Sequence, residues 1–176
     1  DPHARHPGPG RLTRMAQADT LRRFVFERYP FRGQLVHLGS AWKAMMEHHE
    51  YPDEVRDSLG EAVAAAALLS STLKYQGLLS LQLRGAGPMH LMLVECTNGL
   101  ALRAVARFRD PPATRDLRVL SGDGTLAVTV ESENAPNRYQ GIVPLTGASM
   151  SACLRKYFEQ SEQLPTRLSL RADGQS

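Results

Sequence analysis

The sequence predicts an α+β domain in which antiparallel or mixed β-sheets stack together with a helical layer, a β/β/α arrangement. Three observations carry it. Residues 78–108 read as a three-stranded meander whose middle strand is apolar on both faces, residues 53–73 hold a long apolar stripe of helical period, and residues 126–145 hold a second hairpin. A strand apolar on both sides must be covered from both sides. The helix and the second hairpin are the elements available to cover it.

Composition sets the frame. At 176 residues and 42% hydrophobic, the chain is long enough for one ordinary domain with a real core. Its longest apolar stretch, Ala62 to Leu69, is alanine-rich and far short of the about 18 residues a membrane span needs, so a soluble protein without a membrane partner is expected. Residues 1–14 hold Arg5, Arg11 and Arg14 against Asp1, which accounts for +2 of the formal charge of +3. The remainder is nearly neutral, which argues against nucleic acid as the main partner. Cys96 and Cys153 form neither a CxxC nor a CxC pair, so both read as small buried apolar residues.

Residues 1–14 are rich in Pro, Gly, His and Arg and carry no apolar period or secretory h-region. They read as a disordered extension or tag, and residues 15–176, from Met15, as the domain. Phe24 to Phe26 and Gly33 to Leu38 then read as a pair of strands around Tyr29-Pro30, with Gly33 permitting a bend or bulge. Ser40 is placed to N-cap a short helix carrying Trp42, Met45, Met46 and His49. Pro52 stops it, and Asp53 opens the long helix. There Val55, Leu59, Ala62, Ala66, Leu69 and Leu73 form one stripe about 30 Å long that ends at Lys74 and Gly77.

The meander follows. Leu79, Leu81 and Leu83 alternate with Ser80, Gln82 and Arg84, the period of two of a strand with one buried face. Gly85, Gly87 and Pro88 break the run. Met89 to Glu95 is apolar on both sides, and Asn98-Gly99 predicts a two-residue type I′ turn into Leu102, Ala104, Ala106 and Phe108. Asp110 to Arg118 reads as a connecting loop and Gly122-Asp123-Gly124 as a turn. Leu126, Val128 and Val130 lead through a turn at Asn134 to Asn137 into Tyr139, Gly141, Val143 and Leu145. Thr146 to Ser149 cap a helix bearing Met150, Cys153, Leu154, Tyr157 and Phe158 at i, i+3, i+4, i+7 and i+8. After Pro165, Leu168 and Leu170 predict a last strand, and no closing element follows it.

No constellation of catalytic type stands out. Neither Gly85-Ala86-Gly87 nor Gly122-Asp123-Gly124 opens a helix or carries the Lys-Ser/Thr end of a phosphate loop. His48 and His49 are neighbours about 100° apart on a helix and do not share one ion. Ser149, Ser151 and Cys153 have no predicted His beside them and no nucleophile elbow. Arg103, Arg107 and Arg109 share a parity and would read an anion if Arg84 lay on the same face; otherwise they guard an exposed sheet edge. Catalytic, cofactor and metal residues are therefore none, and the residues alone describe a domain built to bind.

The order of segments resembles the bacterial heat shock protein 33 family of redox-regulated holdase chaperones. The resemblance covers about Leu21 to Arg171. FRGQLV at Phe31 to Val36, Tyr51-Pro52, LLSSTLKYQG at Leu68 to Gly77 and Gly85-Ala86-Gly87-Pro88-Met89 carry it. RAVAR at Arg103 to Arg107, Arg138-Tyr139-Gln140-Gly141 and, most specifically, YFEQSEQLPTRL at Tyr157 to Leu168 complete the series. It implies a β/β/α fold, ATP-independent binding of unfolding client proteins, and a place in the heat shock and stress response of the bacterial cytoplasm.

The resemblance also implies a zinc-binding C-terminal switch domain with paired cysteines behind a helical linker. Cys96 and Cys153 match none of those cysteines, so neither zinc nor the redox switch is carried onto any residue here, and the chain reads as the N-terminal domain. The client-binding residues stay unknown at this stage. Part of the sheet surface is expected to contact clients or a second copy of the chain. The competing class is a nucleic-acid or ribosome-associated module using Arg84, Arg103, Arg107 and Arg109; an enzyme ranks last.

Overall fold

The computed structural model describes residues 18–73, 76–133, 138–162 and 165–173. It is an α+β fold with two antiparallel sheets. Strands β1 (Thr20–Val25) and β2 (Arg32–His37) form one. The other has five strands in the order β5-β4-β3-β6-β7, from β3 (Gly77–Arg84), β4 (Met89–Thr97), β5 (Leu102–Phe108), β6 (Thr125–Ser132) and β7 (Arg138–Pro144). Helices α1 (Ser40–Met46), α2 (Asp53–Ser70), α3 (Leu117–Ser121) and α4 (Met150–Tyr157) complete it, with a π-turn at Phe158–Glu162. The expected extension at residues 1–14, Lys74 and the turn at Asn134 to Asn137 lie outside the described residues.

The meander forms as its alternation demands. Leu79, Leu81 and Leu83 pair with Cys96, Val94 and Met92 on one side and with Val130, Val128 and Leu126 on the other, and all nine are buried. That apolar surface receives the stripe of α2, where Val55, Leu59, Ala62 and Ala66 have no exposed area. Small side chains at Ala62, Ala65 and Ala66 let the helix come close. A bulge between Met89 and Leu91 turns Met89 inward too, although simple alternation would set it beside Leu91. The α4 stripe of Met150, Cys153, Leu154 and Tyr157 joins the same core.

The second hairpin does not cover the other face of the meander, as the sequence reading expected. β6 pairs with β3 along its length, so β6 and β7 widen the same sheet. Strand pairing wins because a free β3 edge would leave a row of backbone donors and acceptors unpaired. The opposite edge is guarded differently: the Ala106 N–H of β5 donates to the Tyr51 hydroxyl at 3.2 Å. α2 also touches β2, so the small β1–β2 sheet is held by the same helix that covers the large one.

Several local expectations are corrected. Ser40 does not cap α1; Gly39 is the N-cap position, and Asp19, some twenty residues earlier in the chain, accepts from the Gly39 N–H at 2.8 Å and the Ala41 N–H at 3.0 Å while Ser40 Oγ donates to it at 2.8 Å. Its slight burial raises the Asp19 carboxyl, but these hydrogen bonds outweigh it and hold the group below its usual range. α1 stops at Met46, so His49 lies outside it, stacked on Tyr51 with ring centroids 5.2 Å apart. α2 stops at Ser70 because Ser71 Oγ and Thr72 Oγ1 donate back to the carbonyls of Leu68 and Leu69, both at 2.7 Å.

Gly77 is no helix terminator; it opens β3, where a Cβ would lie 2.2 Å from the Glu131 carbonyl oxygen. Gly33 makes no bend either, since the Phe24 ring of the paired strand lies across it. Leu117 and Arg118, expected in a loop, start α3, capped by Asp116 accepting from the Arg118 N–H at 3.0 Å. Residues 165–173 form no strand ladder, although Leu168 and Leu170 rest against the core.

The Asn98-Gly99 turn also differs. Positive φ falls on neither residue but on Leu100, at 63°. The Leu100 N–H donates to the Thr97 carbonyl at 2.9 Å, and the Thr97 N–H to the Ala101 carbonyl at 3.0 Å, so the loop is a turn followed by one left-handed residue. A leucine there is strained and half exposed. Leu100→Gly is expected to stabilise the domain by about 0.5–1 kcal/mol, read by urea denaturation; a lower midpoint would contradict that reading.

Candidate functional site

Each pairing register fixes which side chains share a face, and among the described residues the helices that pack on the five-stranded sheet do so on the face of Leu79, Leu81 and Leu83. The other face is the candidate site. Its central row runs Ile142, Ala127, Gln82, Leu93 and Val105 across all five strands. On one side lies the row Pro144, Thr125, Arg84, Leu91 and Arg107; on the other, Gln140, Thr129, Ser80, Glu95 and Arg103, followed by Arg138, Glu131, Leu78 and Thr97. Of all these side chains Thr129 alone is fully buried, its hydroxyl accepting from Gln140 Nε2 at 2.9 Å. Ile142 is 59% exposed. The Leu91 and Leu93 side of β4, which the sequence says must be covered, carries no cover among the described residues.

Charges on this face are unevenly matched. Arg103 pairs with Glu95, whose hydrogen bond and charge both raise the guanidinium further. Arg138 lies 3.3 Å from Glu131. Arg84 and Arg107 are exposed and have no carboxylate partner among the described residues. Arg84 thus shares the face of Arg103 and Arg107, the condition set for an anion-reading surface, while Arg109 lies past the end of β5.

A second exposed apolar surface is the β1–β2 hairpin. Val25 is 76% exposed, Tyr29 and Phe31 63% each, and Leu35 62%. Phe24 and Phe26 pack edge to face at 5.8 Å, and Tyr29 stacks on Phe31 at 6.3 Å, so the aromatics cover one another and not a core. Polar contacts tether the hairpin: Arg23 Nη2 donates to the Ser71 carbonyl at 2.6 Å, and Ser71 Oγ, whose proton goes to the Leu68 carbonyl, lies against the Gln34 side-chain amide. Sequence reasoning saw strands here but missed the surface. The signal was Phe24-Val25-Phe26, apolar on both faces of a strand with only one neighbour.

A cavity of about 330 Å³ opens where α2, α3 and α4 meet, lined by Asp57, Glu61, Arg115, Asp116 and Ser149 among others. Asp57 is buried between two guanidiniums, Arg56 at 3.1 Å and Arg115 at 2.5 Å, the latter an ion pair without hydrogen-bond geometry. Burial raises the Glu61 carboxyl and nearby Asp57 adds to it, against the Met150 N–H and Arg115, which lower it. Because the folded state holds that proton more tightly than the unfolded chain, the group's contribution is fully present below the unfolded pKa and lost as pH rises through the folded one. Glu61→Gln, which keeps an acceptor for Met150, is therefore expected to flatten the fall in Tm from about pH 4 to 7, above the ordinary carboxyl pKa. A steeper fall in the variant would contradict this. The cavity is a joint between helices in which Asp57 and Asp116 already have guanidinium partners.

The remaining candidates behave as structure. Gly87 and Gly122 pack backbone to backbone, and the Gly87 N–H donates to the Ser121 carbonyl at 2.8 Å, so both glycine turns brace α3. His48 lies past the end of α1. Ser149 caps α4 by accepting from the Ala152 N–H at 3.3 Å, with Ser151 Oγ 3.1 Å from it. Cys96 and Cys153 are buried, and burial pushes both thiols up, away from the thiolate a nucleophile or metal ligand needs. No three His, Cys, Asp or Glu side chains gather around a possible ion among the described residues. No helix of the described residues is long and apolar enough to cross a membrane.

Comparison with known proteins gives one answer. The family model described as Hsp33 protein matches residues 19–176. The 33 kDa chaperonin of Cronobacter sakazakii is 47% identical over 165 residues, covering 92% of this chain and 56% of that protein. Those of Ectopseudomonas mendocina and Escherichia coli are 45% and 41% identical, covering 89% of this chain and 54% of each relative. The crystal structure of the 33 kDa chaperonin of Thermotoga maritima superposes with a TM-score of 0.73 at 21% identity, over 82% of this chain and 52% of that one, and shares the fold. The chain spans about half the length of the curated relatives it matches. A match running from Asp19, which caps α1, through the whole sheet and α4 shows that the chain belongs to the Hsp33 protein family.

Proposed function

We propose that this chain is the client-holding part of an ATP-independent chaperone of the bacterial cytoplasm, binding unfolding proteins and keeping them from aggregating. One observation carries the reading: the five-stranded sheet packs one face into the core, while the other has no covering element among the described residues, with Ile142 exposed and Leu91, Leu93 and Val105 partly exposed on it. A contiguous apolar surface of this kind recognises apolar segments with little demand on their sequence, which is what holding unfolded chains requires. It needs no catalytic geometry.

The test is light scattering from a thermally aggregating client enzyme with the chain present at increasing ratios. Scattering is expected to fall steadily towards equimolar ratio. No suppression even with the chain in excess overturns the proposal. Because Cys96 and Cys153 are both buried, holding by this chain is expected to be the same after peroxide as after a reductant. A change of severalfold between the two would place a switch on these thiols. Redox control in the family, on this reading, belongs to residues other than those of this chain.

A second reading, nucleic-acid binding, rests on Arg84, Arg103 and Arg107 sharing one face. Arg103 is engaged by Glu95, Glu131 faces the same way, and Leu91 separates the other two, so no continuous basic stripe forms. RNA binding whose affinity falls steeply with salt would favour it over client holding.

A further inference from the structure

We propose that the open sheet face is polarised, and that the partner it fits is an amphipathic segment with carboxylates along one flank. The inference rests on the reading of this face as the client-holding surface and adds which segments it prefers. The rows of the face are not equivalent. The central row is apolar from Ile142 to Val105 apart from Gln82. The rows on one side are electrically closed, Arg103 by Glu95 and Arg138 by Glu131. The row on the other side holds Arg84 and Arg107, with no carboxylate partner among the described residues.

Register fixes the spacing of these two arginines. Arg84 pairs with Leu91 and Leu91 with Arg107, so their Cα atoms lie two strand steps apart, about 10 Å, with an apolar side chain between them. An apolar segment lying along the central row brings its flank against this pair on one side only. On a helix, residues seven apart lie on the same side about 10 Å from each other, which matches the two guanidiniums. Carboxylates there gain two partners, whereas lysines meet two unopposed positive charges. The paired rows opposite give no such preference. The face therefore sorts apolar segments by charge and fixes which way round they lie.

The experiment uses two fluorescent helical peptides of about 15 residues with the same leucine stripe, one carrying Glu and the other Lys at two flank positions seven apart. On the unaltered chain the Glu peptide is expected to bind about tenfold more tightly at low salt, the difference shrinking at about 0.5 M salt. In R84E/R107E, two exposed positions where circular dichroism checks the fold, the preference reverses. Equal affinities on the unaltered chain overturn the polarity but leave client holding intact, whereas failure of both peptides to bind overturns both. Self-association of the chain that disappears in R84E/R107E assigns the face to a second copy, and an RNA oligonucleotide that displaces the Glu peptide assigns the arginines to phosphate; either result overturns the proposal.

Discussion

Leu81→Ala is expected to destabilise the domain by about 2–5 kcal/mol, lowering Tm by roughly 5–20 °C for a domain of this size. The same truncation at Leu93 is expected to cost about 1 kcal/mol or less. The two residues sit on adjacent strands of one sheet, but Leu81 pairs with Val94 and Leu93 with Gln82, so they point to opposite faces. Leu81 is 1% exposed, packed between β4, β6 and the α2 stripe, and its removal leaves a cavity. Leu93 is half-buried, set between Gln82 and Val105 on the neighbouring strands. Equal losses of stability at the two positions, measured by thermal denaturation, would mean that something in the chain covers the second face after all.

The second large effect is on activity and not on stability. L91S/L93S/V105S removes the apolar centre of the open face and leaves every core contact in place. Each lost side chain is expected to weaken client binding by about 1 kcal/mol, since only part of its area is covered by a client, so affinity falls roughly a hundredfold. Suppression of client aggregation at equimolar ratio should then disappear while Tm changes by only a few degrees. Full holding activity in a folded triple variant would move the client site elsewhere, with the aromatic β1–β2 hairpin next in line.

Much of this was legible in the residues. The alternation of Leu79, Leu81 and Leu83 marked β3 and its buried face, and the spacing of Met150, Cys153, Leu154 and Tyr157 marked α4 and the side it buries. Such patterns are local: they report the period of the chain and which face is apolar. They do not report the neighbour. The Leu91 and Leu93 side of β4 announced an apolar surface correctly, but the sequence reading supplied the wrong cover, because pairing of β6 with β3 spans some fifty residues and leaves no local trace. The cap of α1 was misplaced for the same reason, its acceptor Asp19 being brought in by the β1–β2 hairpin. Leu100 shows local preference overruled: Asn98-Gly99 favours a tighter turn, but the Thr97 and Ala101 pairing sets a longer loop and puts the left-handed residue one place on. The exposure of Phe24, Val25 and Phe26 depends on what packs against a two-stranded sheet, which periodicity does not contain.

The functional consequence comes from that same correction. A strand apolar on both faces, placed in a sheet packed on one, leaves an apolar surface open among the described residues, and the proposed client holding rests on that surface. Photo-crosslinking tests this most directly, with a benzophenone side chain placed in turn at Leu93 on the open face, at Leu35 on the hairpin and at Val119 on α3, and an unfolding client as the target. Val119, 59% exposed and on neither apolar surface, serves as the background. The result predicted is strong client crosslinking from position 93 and background levels from 119; client crosslinking from 35 alone, with 93 at background, would contradict the open face as the client site.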